Sequence, residues 1–66
     1  MKQRDKMREL VARLGDREDA LIAAYATAER RGEVTRSSND YSLSPEDYAR
    51  ALLSDARRKG WISGLR

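Results

Sequence analysis

The chain contains no cysteine and no histidine. Without cysteine there are no disulfide bonds and no thiolate chemistry, and without histidine there is no imidazole base for the usual catalytic triads. Zinc sites built from these two residue types are excluded as well. Most enzyme classes depend on such groups. We therefore expect a protein without enzyme activity, metal ion or cofactor.

Large apolar side chains and long apolar segments are also scarce. Phenylalanine is absent, and the aromatic residues are one tryptophan and three tyrosines. No segment approaches the roughly 18 apolar residues that a membrane-spanning helix needs. The charged segment after Met1 lacks the apolar stretch of a signal peptide. We expect one small domain over residues 1–66, located in the cytoplasm and not bound to a membrane.

Charge is abundant and mildly basic. The chain has 14 Lys and Arg residues against 11 Asp and Glu residues. Eleven of the 14 basic residues are arginine, whose planar guanidinium binds phosphate or carboxylate through two hydrogen bonds. A GC-rich genome would produce the same excess of Arg and Ala. The composition is therefore consistent with a nucleic-acid partner but does not require one.

Apolar spacing and helix-boundary residues predict an all-α fold, a small helix-turn-helix-like bundle of three helices. We place the helices at about residues 2–14, 17–31 and 45–59. The first has apolar residues at intervals of three and four, which form one stripe along a helix. They are Met7, Leu10, Val11 and Leu14. Gly15 follows this stripe and is expected to end the helix.

The second helix is expected to begin with Asp16 as its N-cap. Apolar side chains, several of them alanine, cover most of its circumference between Ala20 and Ala28. A helix that is apolar nearly all round is buried, either inside its own domain or against a partner chain. Two neighbouring helices cover only part of such a surface. We therefore expect self-association into a homodimer.

The third helix has the clearest start signal. Ser44 is the expected N-cap and Pro45 the first helical residue. Gly60 is expected to end the helix, and Trp61 to fold back against its last turn. A polar loop of eleven residues, 33–43, precedes this helix, which is longer than the about 2–8 residues usual between helices.

Residues of this loop are candidates for a phosphate site. Arg36 supplies a cation, and Ser37 and Ser38 supply hydroxyl groups beside it. Val34, Tyr41 and Leu43 are expected to attach the ends of the loop to the core. Turn residues have the same composition, so a plain connection is the alternative.

A second set of candidates lies on the third helix. At 100° per residue, four side chains share its outer side, and Lys59 follows them at the helix end. The four are Arg50, Ser54, Arg57 and Arg58. Arginine contacts phosphates or guanine edges, and serine adds a small hydrogen-bonding group. The alternative is a solvent-exposed face with ion pairs such as that of Asp47 with Arg50.

The segment LSPEDYARALL at residues 43–53, followed by RKGWI at residues 58–62, resembles the recognition helix of bacterial winged helix-turn-helix regulators. The resemblance implies that Arg50, Ser54, Arg57 and Arg58 face the major groove of double-stranded DNA. We therefore expect a small DNA-binding regulatory or accessory protein of bacterial or phage type. The alternative is a protein-interaction module, a small inhibitor or adaptor whose charged faces contact a partner protein.

Overall fold

A computed structural model describes residues 1–36 and 41–65, and within them the chain forms three α-helices and no β-strand. They are α1 (Gln3–Leu14), α2 (Glu18–Arg30) and α3 (Pro45–Lys59). The predicted all-α bundle is confirmed, and every helix boundary lies within one residue of its expected position. None of these helices is long and apolar enough to cross a membrane.

The start and end of α3 follow the predicted boundary residues. The Ser44 hydroxyl accepts a hydrogen bond from the backbone N–H of Asp47 at 3.2 Å, and Pro45 is the first helical residue. Gly60 follows the helix with φ 71° and ψ 28°, the left-handed conformation that glycine adopts without a steric penalty. Local sequence therefore defines both ends of this helix.

The start of α2 differs from the prediction. Its N-cap is Arg17 rather than Asp16, and no side chain caps the helix. The Asp16 carboxylate instead accepts a hydrogen bond from the Arg57 guanidinium of α3 at 3.0 Å. The prediction of Asp16 as the N-cap is wrong because α2 begins one residue later than expected, with Arg17 at the N-cap.

The core lies around α2, which packs against both α1 and α3, while α1 and α3 contact each other less. The largest fully buried side chains come from all three helices: Met7, Leu21, Tyr25 and Leu53. Ile62 extends this core beyond the end of α3, and Trp61 packs against it. The residues after α3 therefore attach to the same core and lie beside α1.

Candidate nucleic-acid interface

Three cationic side chains from α1 and the end of α3 surround one carboxylate, and a fourth, Arg8, lies over the neighbouring Trp61 ring. Asp55 lies 3.0 Å from Arg58 and 3.3 Å from Lys59, one helical turn further along α3. Arg4 reaches the same carboxylate from α1 at 3.4 Å. The group, which we call the Trp61 cluster, consists of Arg4, Arg8, Asp55, Arg58, Lys59 and Trp61.

Trp61 joins the two helices of this cluster. Its indole N–H donates a hydrogen bond to Asp55 at 3.0 Å, so the prediction that Trp61 folds back on α3 is confirmed. The guanidinium carbons of Arg4 and Arg8 lie 4.9 Å and 5.3 Å from the ring centroid, within the distance at which a cation is attracted to an aromatic ring. Arg8 also donates a hydrogen bond to the Trp61 carbonyl at 3.2 Å.

Positive charge is in excess in the Trp61 cluster. The indole hydrogen bond, together with those from Arg58 and Lys59, lowers the pKa of Asp55 to about 2, so its carboxylate is charged at neutral pH. Asp5 pairs with Arg8 at 3.0 Å. Among residues 1–36 and 41–65, Asp5 and Asp55 are the two carboxylates that form ion pairs with the four cations. Two positive charges are therefore not neutralised.

The cations of the cluster remain accessible to a ligand. Their side chains are between 47% and 73% exposed, Arg8 being the least exposed and Arg58 the most. Arg50 and Ser54 are also exposed and lie in line with Arg58 at four-residue intervals on α3. Arg50 pairs with Asp47 at 3.1 Å on the helix surface. The exposed side of α3 thus continues from the Trp61 cluster toward the start of the helix.

Arg57 does not belong to this exposed side. Its guanidinium is half-buried and donates hydrogen bonds to Glu18 at 2.8 Å and to Asp16 at 3.0 Å. These bonds raise the pKa of Arg57 and join the end of α3 to the start of α2. Arg57 is less exposed than expected, because α2 places two acids beside it. Its predicted contact with DNA stays a prediction.

Arg36 is also a structural residue rather than an accessible cation. It donates hydrogen bonds to Glu29 at 2.7 Å and 3.0 Å and to the Leu43 carbonyl at 3.0 Å. The rings of Tyr41 and Tyr48 lie 4.8 Å and 4.3 Å from its guanidinium carbon. The residue is only 5% exposed. The Glu29 carboxylate therefore holds the guanidinium that was expected to bind a phosphate, and the phosphate contact at Arg36 stays a prediction.

The rest of the predicted loop site has mixed outcomes. Ser37 and Ser38 lie outside the described residues. Val34 is buried, as expected. Leu43 is exposed and attaches the loop through its carbonyl rather than its side chain, and Tyr41 is exposed but stacks on Arg36. The loop is held mainly through Arg36.

Sequence reasoning missed Arg4 and Arg8 as members of a site. Their spacing showed only that they share one flank of the first helix, beside Asp5. Arg4 contacts a residue 51 positions further along the chain, and Arg8 one 53 positions further. No local pattern reports such a contact. The available signal was the single tryptophan directly after a basic helix end.

Among residues 1–36 and 41–65, no group of three or more acidic side chains could hold a metal ion. No family model, curated protein or solved structure matches the chain. The resemblance to winged helix-turn-helix regulators stays a prediction.

Proposed function

We propose that the protein binds double-stranded DNA by placing the Trp61 cluster against the phosphate backbone. The observation that carries this proposal is the grouping of four exposed cations from α1 and the end of α3, three of them on the carboxylate of Asp55 and the fourth, Arg8, over the Trp61 ring. Phosphate contacts supply most of the affinity for DNA, and they require excess positive charge rather than a particular base sequence. The proposed role is that of a small regulatory or accessory protein.

The outer side of α3 supplies the contacts beyond the cluster in this proposal. Arg58 binds a phosphate, and Arg50 and Ser54 follow it along the helix at one-turn intervals. An arginine with an exposed guanidinium forms two hydrogen bonds with a guanine edge, and a serine binds a base or a phosphate. We assign base contacts to Arg50 and Ser54, because they lie furthest from the phosphate-binding cations.

The salt dependence of binding tests the proposal. Fluorescence anisotropy with a labelled random-sequence duplex, repeated over a series of salt concentrations, gives the slope of log affinity against log salt. If all four cations of the cluster bind phosphates, the slope is about −3 to −4. No binding at low salt by the folded protein would overturn the proposal and favour the alternative, a protein partner with an acidic surface.

Three variants make the test specific to the cluster. Arg58→Gln removes one phosphate contact, so it weakens binding and reduces the slope by about 1. Asp55→Asn removes the competing anion but keeps an oxygen for the indole hydrogen bond, so it strengthens binding. Arg30→Gln is the matched control: its exposed side chain pairs with Glu46 at the opposite end of α3. Equal weakening by Arg58→Gln and Arg30→Gln would show that net charge, and not this cluster, is responsible.

A further inference from the structure

A surface hollow of about 310 Å³ lies at the start of α1, next to the Trp61 cluster. Two residues belong to both, because Arg4 and Arg8 line the hollow and also lie over the Trp61 ring. The residues that line the hollow are Lys2, Gln3, Arg4, Asp5 and Arg8. We propose that this hollow binds a further phosphate of the DNA backbone, with Lys2 as a fifth phosphate-binding cation. The inference rests on the DNA-binding proposal and extends the contact surface along α1.

The side chain of Lys2 is exposed and forms no ion pair among the described residues. Arg17 is the one other Lys or Arg residue in the described part of the chain without an ion pair, and it does not line the hollow. The backbone of Lys2 is held in place by two contacts. It forms an isolated parallel bridge with Thr35, and its carbonyl accepts a hydrogen bond from the N–H of Lys6 at 3.0 Å. The ammonium group therefore has a fixed attachment point, and no described carboxylate competes for it.

Positive charge exceeds negative charge in the hollow. Three of its lining residues are cationic and one is acidic, Asp5, whose carboxylate pairs with Arg8 at 3.0 Å. Arg4 contacts Asp55, outside the hollow, through one nitrogen at 3.4 Å, so its guanidinium keeps other N–H groups for a ligand. A phosphate in the hollow therefore meets a net positive charge, and it displaces no carboxylate from Lys2.

The backbone at the start of α1 adds to the charge of these side chains. Lys2 is the N-cap of α1, and no side chain caps the helix through a hydrogen bond. The N-terminal end of a helix carries partial positive charge, and its first backbone N–H groups have no acceptor within the helix. Both properties favour an anion. None of these groups reads a base, so we expect the hollow to contribute equally to duplexes of any sequence.

Fluorescence anisotropy with a labelled random-sequence duplex, over a series of salt concentrations, tests this contact. Lys2→Gln removes the charge without breaking an ion pair of the described residues, so the variant is expected to keep its helices, which circular dichroism checks. The variant is expected to bind more weakly than the original chain, with the slope of log affinity against log salt reduced by about 1. The ratio of the two affinities is then expected to fall about eightfold for each tenfold rise in salt.

Arg13→Gln is the matched control on the same helix. The Arg13 side chain is 65% exposed, and its acidic contact, Glu9, is as far as 3.7 Å away. Arg13 is about three helical turns from Lys2 and lines the groove between α1 and α2 rather than the hollow. The control is expected to keep the slope of the original chain. A slope that Lys2→Gln leaves unchanged, or that both variants reduce equally, overturns this inference. If Arg58→Gln still reduces the slope, the DNA-binding proposal stands without it, whereas no binding by the original chain overturns both.

Discussion

Arg36 carries a charge that is almost completely enclosed. Its side chain is 1% exposed, and the side chain of its partner Glu29 is 10% exposed. Removing two charges from water costs several kcal/mol per ion, which their attraction and the hydrogen bond to Leu43 offset. Burial, with the Glu29 carboxylate nearby, also raises the pKa of Tyr25 above its usual value, so this phenol is neutral. The pair fixes the position of the loop on α2 more than it adds net stability.

Arg36→Met is expected to lower the free energy of unfolding by about 3–5 kcal/mol, because it leaves Glu29 buried without its cation. Urea denaturation measures this loss. The double variant Arg36→Met/Glu29→Leu removes both charges and is expected to lose less than the single variant. Arg50→Met is the exposed control, with a change within about 0.5 kcal/mol. Equal losses in the single and double variants would contradict this account of the pair.

Asp55 makes stability depend on pH. The hydrogen bond from Trp61 and those from Arg58 and Lys59 lower its pKa from the usual 3.8 to about 2. Between these two values the unfolded chain binds more protons than the folded one, so the contribution of Asp55 is present above about pH 4 and is lost as the pH falls toward 2.

Urea denaturation of the original chain and of Asp55→Asn, at about pH 6 and about pH 3, measures this contribution. The original chain is expected to be more stable than the variant at the higher pH, and the difference is expected to narrow at the lower pH. A difference that stays constant between the two pH values would show that the Asp55 carboxylate does not gain these interactions on folding.

Among the three helices, α3 is the one whose start and end are both specified by neighbouring residues. Ser44→Ala removes the hydroxyl that accepts the Asp47 N–H, and we expect a loss of about 0.5–2 kcal/mol of stability. Ser54→Ala is the matched control, because it makes the same chemical change at an exposed position inside the same helix. Urea denaturation compares the two variants. An equal effect at both positions would contradict the capping role of Ser44.

The extent of each helix was predictable because its signals are local. Apolar residues at helical spacing, Ser44 with Pro45, and a glycine after a basic helix end need only a few neighbouring residues to take effect. The side chains of the site depend on distant partners instead. Arg57 is half-buried beside Asp16, which is 41 residues away in the sequence. Arg4 reaches Asp55 because α1 packs beside the end of α3. No spacing along one helix contains that information.

At the scale of the whole molecule, the cations proposed to bind DNA lie on one side of the bundle. The Trp61 cluster lies where α1 meets the end of α3, while the groove between α1 and α2 lies elsewhere on the bundle. A homodimer, which the apolar circumference of α2 predicts, would carry two Trp61 clusters, so a duplex long enough to reach both would bind more tightly than a short one.

Trp61 has a further consequence, since it is the one tryptophan in the sequence. Excitation of the indole selects a single chromophore whose N–H is bonded to Asp55 and whose ring lies beside two guanidinium groups. Its emission therefore reports on the junction of α1 with α3, whereas far-ultraviolet circular dichroism averages over every helix. Unfolding curves from the two signals coincide if the bundle opens in one step. If α1 detaches first, the tryptophan emission changes at a lower denaturant concentration than the ellipticity does. The measurement needs no added label.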